Sequence, residues 1–443
     1  MNKNIKRLIL LLVVILLAVV VWQYPKLNLI SGFAAKSTAS SIYIAGRSLS
    51  SVAENDNNVP LVKLAESQYD ASERKGMASV FGLMEREAVC REGLGCVLIN
   101  GDIDVDLYMQ RPVRSQKKIA LPYPFGHETA LDTLFENVNY KQLEKALDHV
   151  FADTVRTRTI LVLYKDHILA ERYKSGFDKT TPILGWSMTK SILGTLFGIL
   201  EYQGKLSVTD AAPLPSWQKD ERRDITLNHL LRMQSGLAWD EDYSTISDVT
   251  KMLFMESNMA ASQAKKNVMA PPTEIWNYSS GTSNLLSGLM RTKFNNYQNY
   301  LNFPYKALID KIGMHSMILE TDLVGNFVGS SYGWANTRDW GRFGQLYLHN
   351  GNWNGDQLFD PNWVSYITTP TLHSDGVYGA HFWLNANGKF PDVPRDMYSA
   401  NGYQGQHVFI IPSKDIVIVR TGLAEKPQFN TNTFIKEILE AIQ

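Results

Sequence analysis

The sequence predicts a three-layer α+β fold, in which N- and C-terminal segments form one antiparallel sheet, with flanking helices and a helical subdomain. Two strand pairs carry this prediction, one at 159–164 and 168–173 and the other at 407–411 and 416–420. The chain between the pairs, to about residue 370, is largely helical in its apolar spacing. Strands at both ends with helices between them favour a sheet assembled from distant segments.

Turns and helices frame these strands. The first pair is separated by Lys165-Asp166-His167 and the second by Pro412-Ser413-Lys414-Asp415, both rich in residues that favour turns. Helices are predicted at 141–151, before the first pair, and at 432–442, after the second. A long apolar helix begins after Ser187 and ends at Gly204, and glycine is typical of such a terminus.

The 443 residues are sufficient for more than one domain. We expect a signal anchor at 1–25, a tether with a small β-rich extension at 26–125, and the main domain at 135–443. Within the extension the sequence predicts short strands at 41–45, 97–99 and 103–107. Leu121-Pro122-Tyr123-Pro124 is typical of a linker.

The N-terminus carries a membrane signal. Lys3, Lys6 and Arg7 precede an uncharged apolar run at 8–22. That run is long for the core of a signal peptide and short for a membrane span, so both interpretations are open. Because no small-x-small cleavage pattern follows closely, we favour an uncleaved transmembrane anchor in the inner membrane of a bacterium. The rest of the chain would then lie on the periplasmic, extracytoplasmic side.

Composition limits the range of partners. Lys+Arg and Asp+Glu both number 44, so the formal net charge is zero, and no basic stripe suggests nucleic acid. Cys90 and Cys96 could form a disulfide in an exported protein or remain two buried thiols. A metal site is not expected, since none of the nine histidines pairs with these cysteines at ligand spacing.

The strongest candidate for chemistry is the stretch Trp186-Ser187-Met188-Thr189-Lys190. Residues three apart share a helix face, so the Ser187 hydroxyl and the Lys190 amine should lie side by side. A buried amine near a helix N-terminus is pushed toward its neutral form and can accept the serine proton. The alternative is that Ser187 only caps the helix.

Ser-x-x-Lys is a weak pattern by itself, because it recurs in polar or proline-rich contexts at Ser72/Lys75, Ser115/Lys118, Ser216/Lys219 and Ser262/Lys265. Only the stretch at Ser187 leads into a long apolar helix. We therefore predict that Ser187 is an acylating nucleophile.

Several further stretches occur together with it, namely Gly185-Trp186-Ser187-Met188-Thr189-Lys190-Ser191, 225–237, Asn277-Tyr278-Ser279-Ser280-Gly281, 335–346 and Asn401-Gly402-Tyr403-Gln404-Gly405-Gln406. With these the chain, over roughly residues 155–425, resembles the serine hydrolases of the class C β-lactamase and penicillin-binding-protein superfamily. More narrowly it resembles their 6-aminohexanoate-dimer hydrolase and esterase branch. The resemblance implies a β-lactamase/transpeptidase-like fold and an acyl-enzyme mechanism that needs no cofactor.

The second catalytic element of that family is a Tyr-x-Asn loop, and Tyr278-Ser279-Ser280 matches it here. Literal Tyr-x-Asn at Tyr297 and Tyr300 lies in a polar stretch without the same framing. We expect a Lys190 ammonium to lower the pKa of Tyr278, so that the phenol relays protons. A buried structural tyrosine is the alternative. Ser280 in place of asparagine removes an amide that would bind a substrate.

The family's Lys-Thr-Gly element is missing. Arg420-Thr421-Gly422 is closest in letters but comes too late, and the resemblance implies Tyr403-Gln404-Gly405 as the counterpart. Backbone N–H groups of Ser187 and Gln406 would then form the oxyanion hole. Trp186, Ser280, Tyr403 and Gly405 are the predicted substrate-binding residues, and the lost lysine favours a neutral ester or amide over a β-lactam or stem-peptide carboxylate.

The predicted function is an exported, membrane-anchored hydrolase that acts on a small ester or amide through Ser187, Lys190 and Tyr278. The alternatives are a non-catalytic binding or regulatory module, and a β-lactamase or D-Ala-D-Ala carboxypeptidase. An α/β-hydrolase is a further rival, because 329–333 matches Gly-x-Ser-x-Gly with Ser331 at its centre. His229, Arg338 and Asp339 lie in helix-forming contexts and are expected to cap helices and form internal hydrogen bonds.

Overall fold

The structure is a computed structural model that describes residues 3–101, 110–424 and 429–443. The chain divides into two compact units. The described part of the first comprises residues 3–91, 96–101 and 242–257, and that of the second comprises 92–95, 110–241, 258–424 and 429–443. The inclusion of 242–257 in the first unit has no counterpart in the boundaries expected from the sequence.

The helices of the described residues are α1 (Lys3–Tyr43), α2 (Leu49–Glu54), α3 (Tyr140–Val150), α4 (Met188–Tyr202), α5 (Leu227–Leu231), α6 (Asp248–Met255), α7 (Ala260–Ala264), α8 (Ser280–Arg291), α9 (Tyr297–Pro304), α10 (Thr337–Leu348), α11 (Asn362–Thr368) and α12 (Thr431–Glu440). The strands are β1 (Ala65–Asp70), β2 (Lys75–Val80), β3 (Leu83–Arg91), β4 (Gly95–Leu98), β5 (Thr157–Tyr164), β6 (His167–Tyr173), β7 (Ile183–Leu184), β8 (Ile318–Leu319), β9 (Gly333–Ala335), β10 (Asn352–Trp353), β11 (Asp356–Gln357), β12 (Trp383–Leu384), β13 (Tyr398–Gly402), β14 (Gln406–Ile411) and β15 (Ile416–Gly422).

In the first unit, α1 packs on a sheet of order β1-β2-β3-β4. The approach is close because the residues at the contact are small. Ala35 and Ala39 are fully buried, and a Cβ added at Gly76 of β2 would lie 2.7 Å from backbone atoms of both alanines. Small residues thus allow the helix backbone to rest against the strand, in a stretch whose Ser/Ala-rich letters predict a tether.

Two of the strands predicted from the sequence for this region are not found in the described residues. Helix α1 continues to Tyr43, so the strand predicted at 41–45 is wrong. Its residues follow the helix because their neighbours pack on the sheet, and this outweighs the β propensity of Ile42, Tyr43 and Ile44. The predicted strand at 103–107 lies outside the described residues.

No helix among the described residues combines the length and apolar character needed to cross a membrane. The transmembrane helix predicted within residues 1–25 is therefore not supported.

Cys90 at the end of β3 and Cys96 in β4 form a disulfide. Both cysteines are buried, at 3% and 0% exposure. Of the two alternatives open from the sequence, the disulfide is the one that the structure contains.

The second unit contains the predicted sheet, with strand order β12-β13-β14-β15-β5-β6 and antiparallel pairing throughout. The C-terminal strand β15 pairs with β5, which joins the two ends of the domain. Both predicted strand pairs and both flanking helices are present within a few residues of the expected bounds. The α+β fold class is confirmed.

Helices cover both faces of this sheet, as the three-layer prediction requires. Along β5, Ile160 and Val162 pack in a core with α3 and α12, whereas Leu161 and Leu163 pack in a core with α4 and α10. Alternate residues of a strand point to opposite faces, so a strand covered on both sides has apolar residues at successive positions, as at 160–163 of β5. Every residue of β5 is buried.

Candidate active site

Ser187 stands immediately before α4, and short-range contacts hold it there. Strand β7 pairs with β9, and the Gly185 N–H donates to the carbonyl oxygen of Gly333 at 2.8 Å. Trp186 has a φ of +48°, a left-handed conformation that costs free energy for a bulky residue. The Thr189 hydroxyl donates to the Trp186 carbonyl oxygen at 2.7 Å and accepts from the Gly333 N–H at 2.9 Å. These contacts stabilise a sharp turn into the helix.

The Ser187 side chain does not cap α4. Ser187 occupies the N-cap position, but its hydroxyl makes no capping hydrogen bond, and the residue is partly exposed. The capping interpretation of Ser187 therefore does not hold, and the hydroxyl remains available for other contacts.

Lys190 lies one turn into α4 and is 1% exposed. Its Nζ donates to Ser187 Oγ at 3.0 Å, to Ser280 Oγ at 2.9 Å and to the carbonyl oxygen of Ser330 at 3.0 Å. The predicted pairing of the serine hydroxyl with the lysine amine is present. Three acceptors match the three N–H bonds of an ammonium group.

Burial lowers the pKa of Lys190 from 10.5 to about 8, and the negative charge of Glu241 partly opposes this shift. The direction agrees with the prediction from sequence. A substantial fraction of Lys190 is then neutral at mildly alkaline pH, where an ordinary lysine is fully protonated.

Tyr278 joins the same group from the loop before α8. Its hydroxyl shares a hydrogen bond with Ser187, and Lys190 Nζ lies 4.8 Å from the centroid of its ring. The lysine thus faces the ring of the tyrosine, not its hydroxyl. Burial and then the charge of Glu241 raise the pKa of Tyr278, against the smaller opposing effect of the Ser187 hydrogen bond. The lowered pKa expected for Tyr278 is wrong, and the phenol stays protonated.

Ser280 has a different environment from the one expected for a substrate-binding residue. It is fully buried at the start of α8, and its hydroxyl accepts from Lys190 and donates to Glu241 Oε1. Its backbone N–H donates to Glu241 Oε2 at 2.8 Å. Ser280 therefore links Lys190 to a carboxylate and does not face a cleft.

Glu241 is the part of the site that sequence reasoning missed. It lies in an irregular segment after α5, is half-buried, and accepts hydrogen bonds from Ser280 and from the Trp239 indole N–H. In the sequence it belongs to the acidic run Asp240-Glu241-Asp242, which resembles a solvated loop. The neighbouring Trp239 was the only local signal of burial.

The segment predicted to complete the oxyanion hole forms the turn between β13 and β14. The Tyr403 ring contacts the Trp186 ring at a centroid distance of 5.4 Å. A Cβ at Gly402 would lie 2.1 Å from the Gly185 carbonyl oxygen, so the end of β13 touches the segment that leads to Ser187.

Gln406 begins β14 opposite Gly402 and is buried. Its side-chain amide donates to the carbonyl oxygens of Tyr403 and Gly422 at 3.1 and 2.6 Å. Trp186 is buried as well, with its ring 6.4 Å from that of Tyr332. The turn and the Ser187 segment are therefore neighbours.

The rival Gly-x-Ser-x-Gly stretch lacks the geometry of a nucleophile elbow. Ser331 is fully buried in a turn before the short strand β9, with its hydroxyl 2.8 Å from that of Ser330. An elbow requires an exposed serine between a strand and a helix. What this stretch contributes to the site is the Ser330 carbonyl oxygen that Lys190 binds.

The three residues expected to be structural are structural. His229 Nδ1 accepts the Thr226 N–H at 3.2 Å in the capping box of α5. Arg338 pairs with Glu171 through two hydrogen bonds of 2.7 and 2.6 Å. Asp339 accepts the Ser316 N–H at 2.9 Å. Within the parts of the chain that the structure describes, no group of three or more His, Cys, Asp or Glu residues is placed to bind a metal ion.

Part of the chain is similar to known proteins. The Beta-lactamase family model matches residues 142–435. A 6-aminohexanoate-dimer hydrolase of Paenarthrobacter ureafaciens is 21% identical over 312 residues, which is 63% of this chain and 74% of that protein.

Solved structures show the same fold. One, from Bacillus anthracis and provisionally assigned as a 6-aminohexanoate-dimer hydrolase, has a TM-score of 0.56 at 20% identity and covers 68% of this chain and 80% of its own. A D-stereospecific amidohydrolase from Streptomyces has a TM-score of 0.51 at 13% identity and covers 67% of this chain and 98% of its own.

The depressed pKa of Lys190 predicts a pH-dependent stability. Between about pH 8 and 10.5 the unfolded chain holds a proton on Lys190 that the folded chain has released, so the wild type gains stability as the pH rises through this window. Lys190→Met has no such proton. From about pH 7 to about pH 10, the free energy of unfolding of the wild type should therefore increase by roughly 2 kcal/mol relative to Lys190→Met. Urea unfolding at both pH values measures this difference, and a constant difference would contradict the shift.

Proposed function

The chain belongs to the Beta-lactamase family, and on that premise we propose that it is a serine hydrolase that cleaves a small neutral ester or amide through an acyl-enzyme. Ser187 is the nucleophile, Lys190 the general base and Tyr278 the proton donor to the leaving group. Support comes from the mutual contacts of these three side chains.

The hydrogen bonds around Lys190 carry the proposal. A neutral amine has two N–H bonds and one lone pair, and that lone pair needs a donor. The Ser330 carbonyl oxygen has no proton, and the Ser280 hydroxyl proton is directed at Glu241. Of the three oxygens bound to Nζ, only Ser187 Oγ can therefore donate to it. This arrangement points the lone pair at the Ser187 proton, as a general base requires.

The steps follow from this arrangement. Ser187 Oγ attacks the substrate carbonyl carbon while its proton moves to Lys190 Nζ, and the resulting ammonium is stabilised over the ring of Tyr278. As the tetrahedral intermediate collapses, the Tyr278 hydroxyl protonates the leaving group, and the proton held on Lys190 returns to Tyr278 through solvent, because Lys190 Nζ faces the ring and not the hydroxyl. Because its pKa is raised, the phenol is protonated and has a proton to donate. Water then hydrolyses the acyl-enzyme by the same steps.

For the oxyanion hole we propose the backbone N–H of Ser187 and an N–H from the turn between β13 and β14. Gln406 is the donor that the sequence predicts. The contact between Gly402 and Gly185 also supports the N–H of Tyr403, whose peptide group includes Gly402. Donors on such rigid backbone stabilise the developing negative charge without reorganising.

The substrate class follows from the side chains around Ser187. Tyr278 packs against Trp383 and Tyr378, with ring centroids 5.2 and 5.8 Å away, and Trp186 packs against Tyr403. The position predicted for a family lysine is the turn Tyr403-Gln404-Gly405, which carries no cation. Aromatic walls without that cation favour a neutral acyl group over a β-lactam or a stem peptide.

A non-catalytic binding module is the second candidate, and a fluorophosphonate probe separates it from the hydrolase. Covalent labelling of Ser187 supports the hydrolase, and absence of labelling at any concentration supports the module. A screen of short esters, linear amides and a chromogenic cephalosporin then assigns the substrate class, and preferential cleavage of the cephalosporin would favour a β-lactamase.

The Ser187 hydroxyl is indispensable in this mechanism. Ser187→Ala should lower turnover of a p-nitrophenyl ester at least about 10³-fold and abolish fluorophosphonate labelling, because no other hydroxyl contacts both Lys190 and Tyr278 among the described residues. Ser331→Ala is the matched control and should keep most of the activity, since that hydroxyl bonds only to Ser330 in the described contacts. Equal losses in both variants would refute the assignment.

Lys190 should determine the pH dependence of the rate. Because the base must be neutral, kcat/KM should rise with pH and level off above about 8. The charge of Glu241 raises the pKa of Lys190, so Glu241→Gln should move this rise to lower pH. Stopped-flow or steady-state pH profiles of both proteins measure the midpoint. An unchanged midpoint would show that Lys190 is not the titrating base.

We also propose that the protein works outside the cytoplasm, where a disulfide persists. The Cys90–Cys96 bond supports this location. When thiols are alkylated in intact cells before lysis, mass spectrometry should find the two cysteines unmodified and oxidised. Alkylated Cys90 and Cys96 would contradict it.

A further inference from the structure

A completely buried arginine lies behind the turn that faces the Ser187 segment. Arg420, in the middle of the large sheet, is 0% exposed. Its Nη1 donates to the carbonyl oxygens of Gln404 and Gly405 at 3.2 and 2.7 Å. On the other side, Nη2 donates to the Val155 carbonyl oxygen at 3.0 Å and to Thr157 Oγ1 at 3.0 Å. The guanidinium thus ties the turn to the start of β5.

These contacts determine where the backbone of the turn directs its donors. In a trans peptide group the N–H points opposite to the C=O. The carbonyl oxygens of Gln404 and Gly405 point toward Arg420, so the N–H groups of Gly405 and Gln406 point away from it. The Tyr403 carbonyl oxygen accepts a further hydrogen bond, from the Gln406 side-chain amide at 3.1 Å.

The backbone of the turn needs this support. Gln404 and Gly405 have φ values of +62° and +79°, which place two successive residues in the left-handed region. A Cβ at Gly405 would lie 2.5 Å from Arg420 Nη1, so the guanidinium is in direct contact with the turn. Burying a cation is costly unless its donors are satisfied, and apolar residues could fill the same space at less cost.

We propose that Arg420 is a positioning residue for the oxyanion hole, fixing the Tyr403–Gly405 turn so that backbone N–H groups of the turn meet the negative charge on the substrate. The inference rests on the proposed function, since it presumes that Ser187 is acylated. Burial lowers the pKa of Arg420 to about 9, and its positive charge still adds a favourable field at the site near neutral pH.

The test compares Arg420→Lys with wild type on a p-nitrophenyl ester. Lysine keeps the charge but cannot bridge two carbonyls and Thr157, so kcat should fall about 10- to 100-fold while KM changes little. Affinity for phenylboronic acid, which forms a tetrahedral adduct with an active serine, should fall in parallel. Arg342→Lys is the matched control, because Arg342 is also buried and donates to the carbonyl oxygens of Pro124 and Gly126.

The results distinguish a positioning role of Arg420 from a purely structural one. A selective loss of kcat and boronate affinity in Arg420→Lys supports the inference. Unchanged kcat and boronate affinity in Arg420→Lys, or equal losses in Arg342→Lys, overturn the inference. If Ser187 of the wild type is labelled in that case, the proposed hydrolase function still stands. If wild type is not labelled, both proposals fail.

If Arg420→Lys does not fold, the variant Thr157→Val provides the test instead. It removes an acceptor of the guanidinium, and a severalfold loss of kcat supports the inference, whereas an unchanged kcat overturns it.

Discussion

The site depends on satisfying one buried amine. Lys190 has almost no access to solvent, so each of its bonding positions must find a partner inside the protein. The three oxygens that do so come from the residue before α4, from α8 and from the turn before β9, and α8 and this turn are distant from α4 in the sequence. These three segments must therefore pack in one arrangement for the amine to be tolerated. The hydrogen bonds that stabilise the buried amine are also the ones that align it with Ser187.

Much of the fold follows from local patterns. The strand pairs at both ends of the main domain have continuous apolar runs and turn-forming residues, and the structure contains them nearly as expected. The end of α1 could not be predicted in the same way. Its serines and alanines look like a tether, and they are helical because Ala35 and Ala39 rest against Gly76 in a strand about forty residues later. A small residue in a sequence does not reveal which backbone will approach it.

For the site, spacing and context were enough to place Ser187 beside Lys190, because the two share one helix. Tyr278 was found through its loop, but the direction of its pKa shift was not, since that depends on burial and on Glu241. Glu241 itself lies in an acidic run that resembles a solvated loop. The role of Ser280 could not be predicted either. Its place in the Tyr278-Ser279-Ser280 loop suggests a substrate contact, whereas in the structure its hydroxyl links the Lys190 amine to the Glu241 carboxylate.

The backbone contact between Gly402 and Gly185 limits which residues near Ser187 can be substituted during evolution. Any side chain at position 402 would overlap the Gly185 carbonyl oxygen of the nucleophile segment, so a substitution there would displace the backbone next to Ser187. We expect new specificities, whether by natural drift or by directed evolution, to arise at half-buried residues near the site, such as Tyr403 and Trp383. Mutational libraries that keep Gly402 and randomise Tyr403 and Trp383 should therefore retain the most folded members.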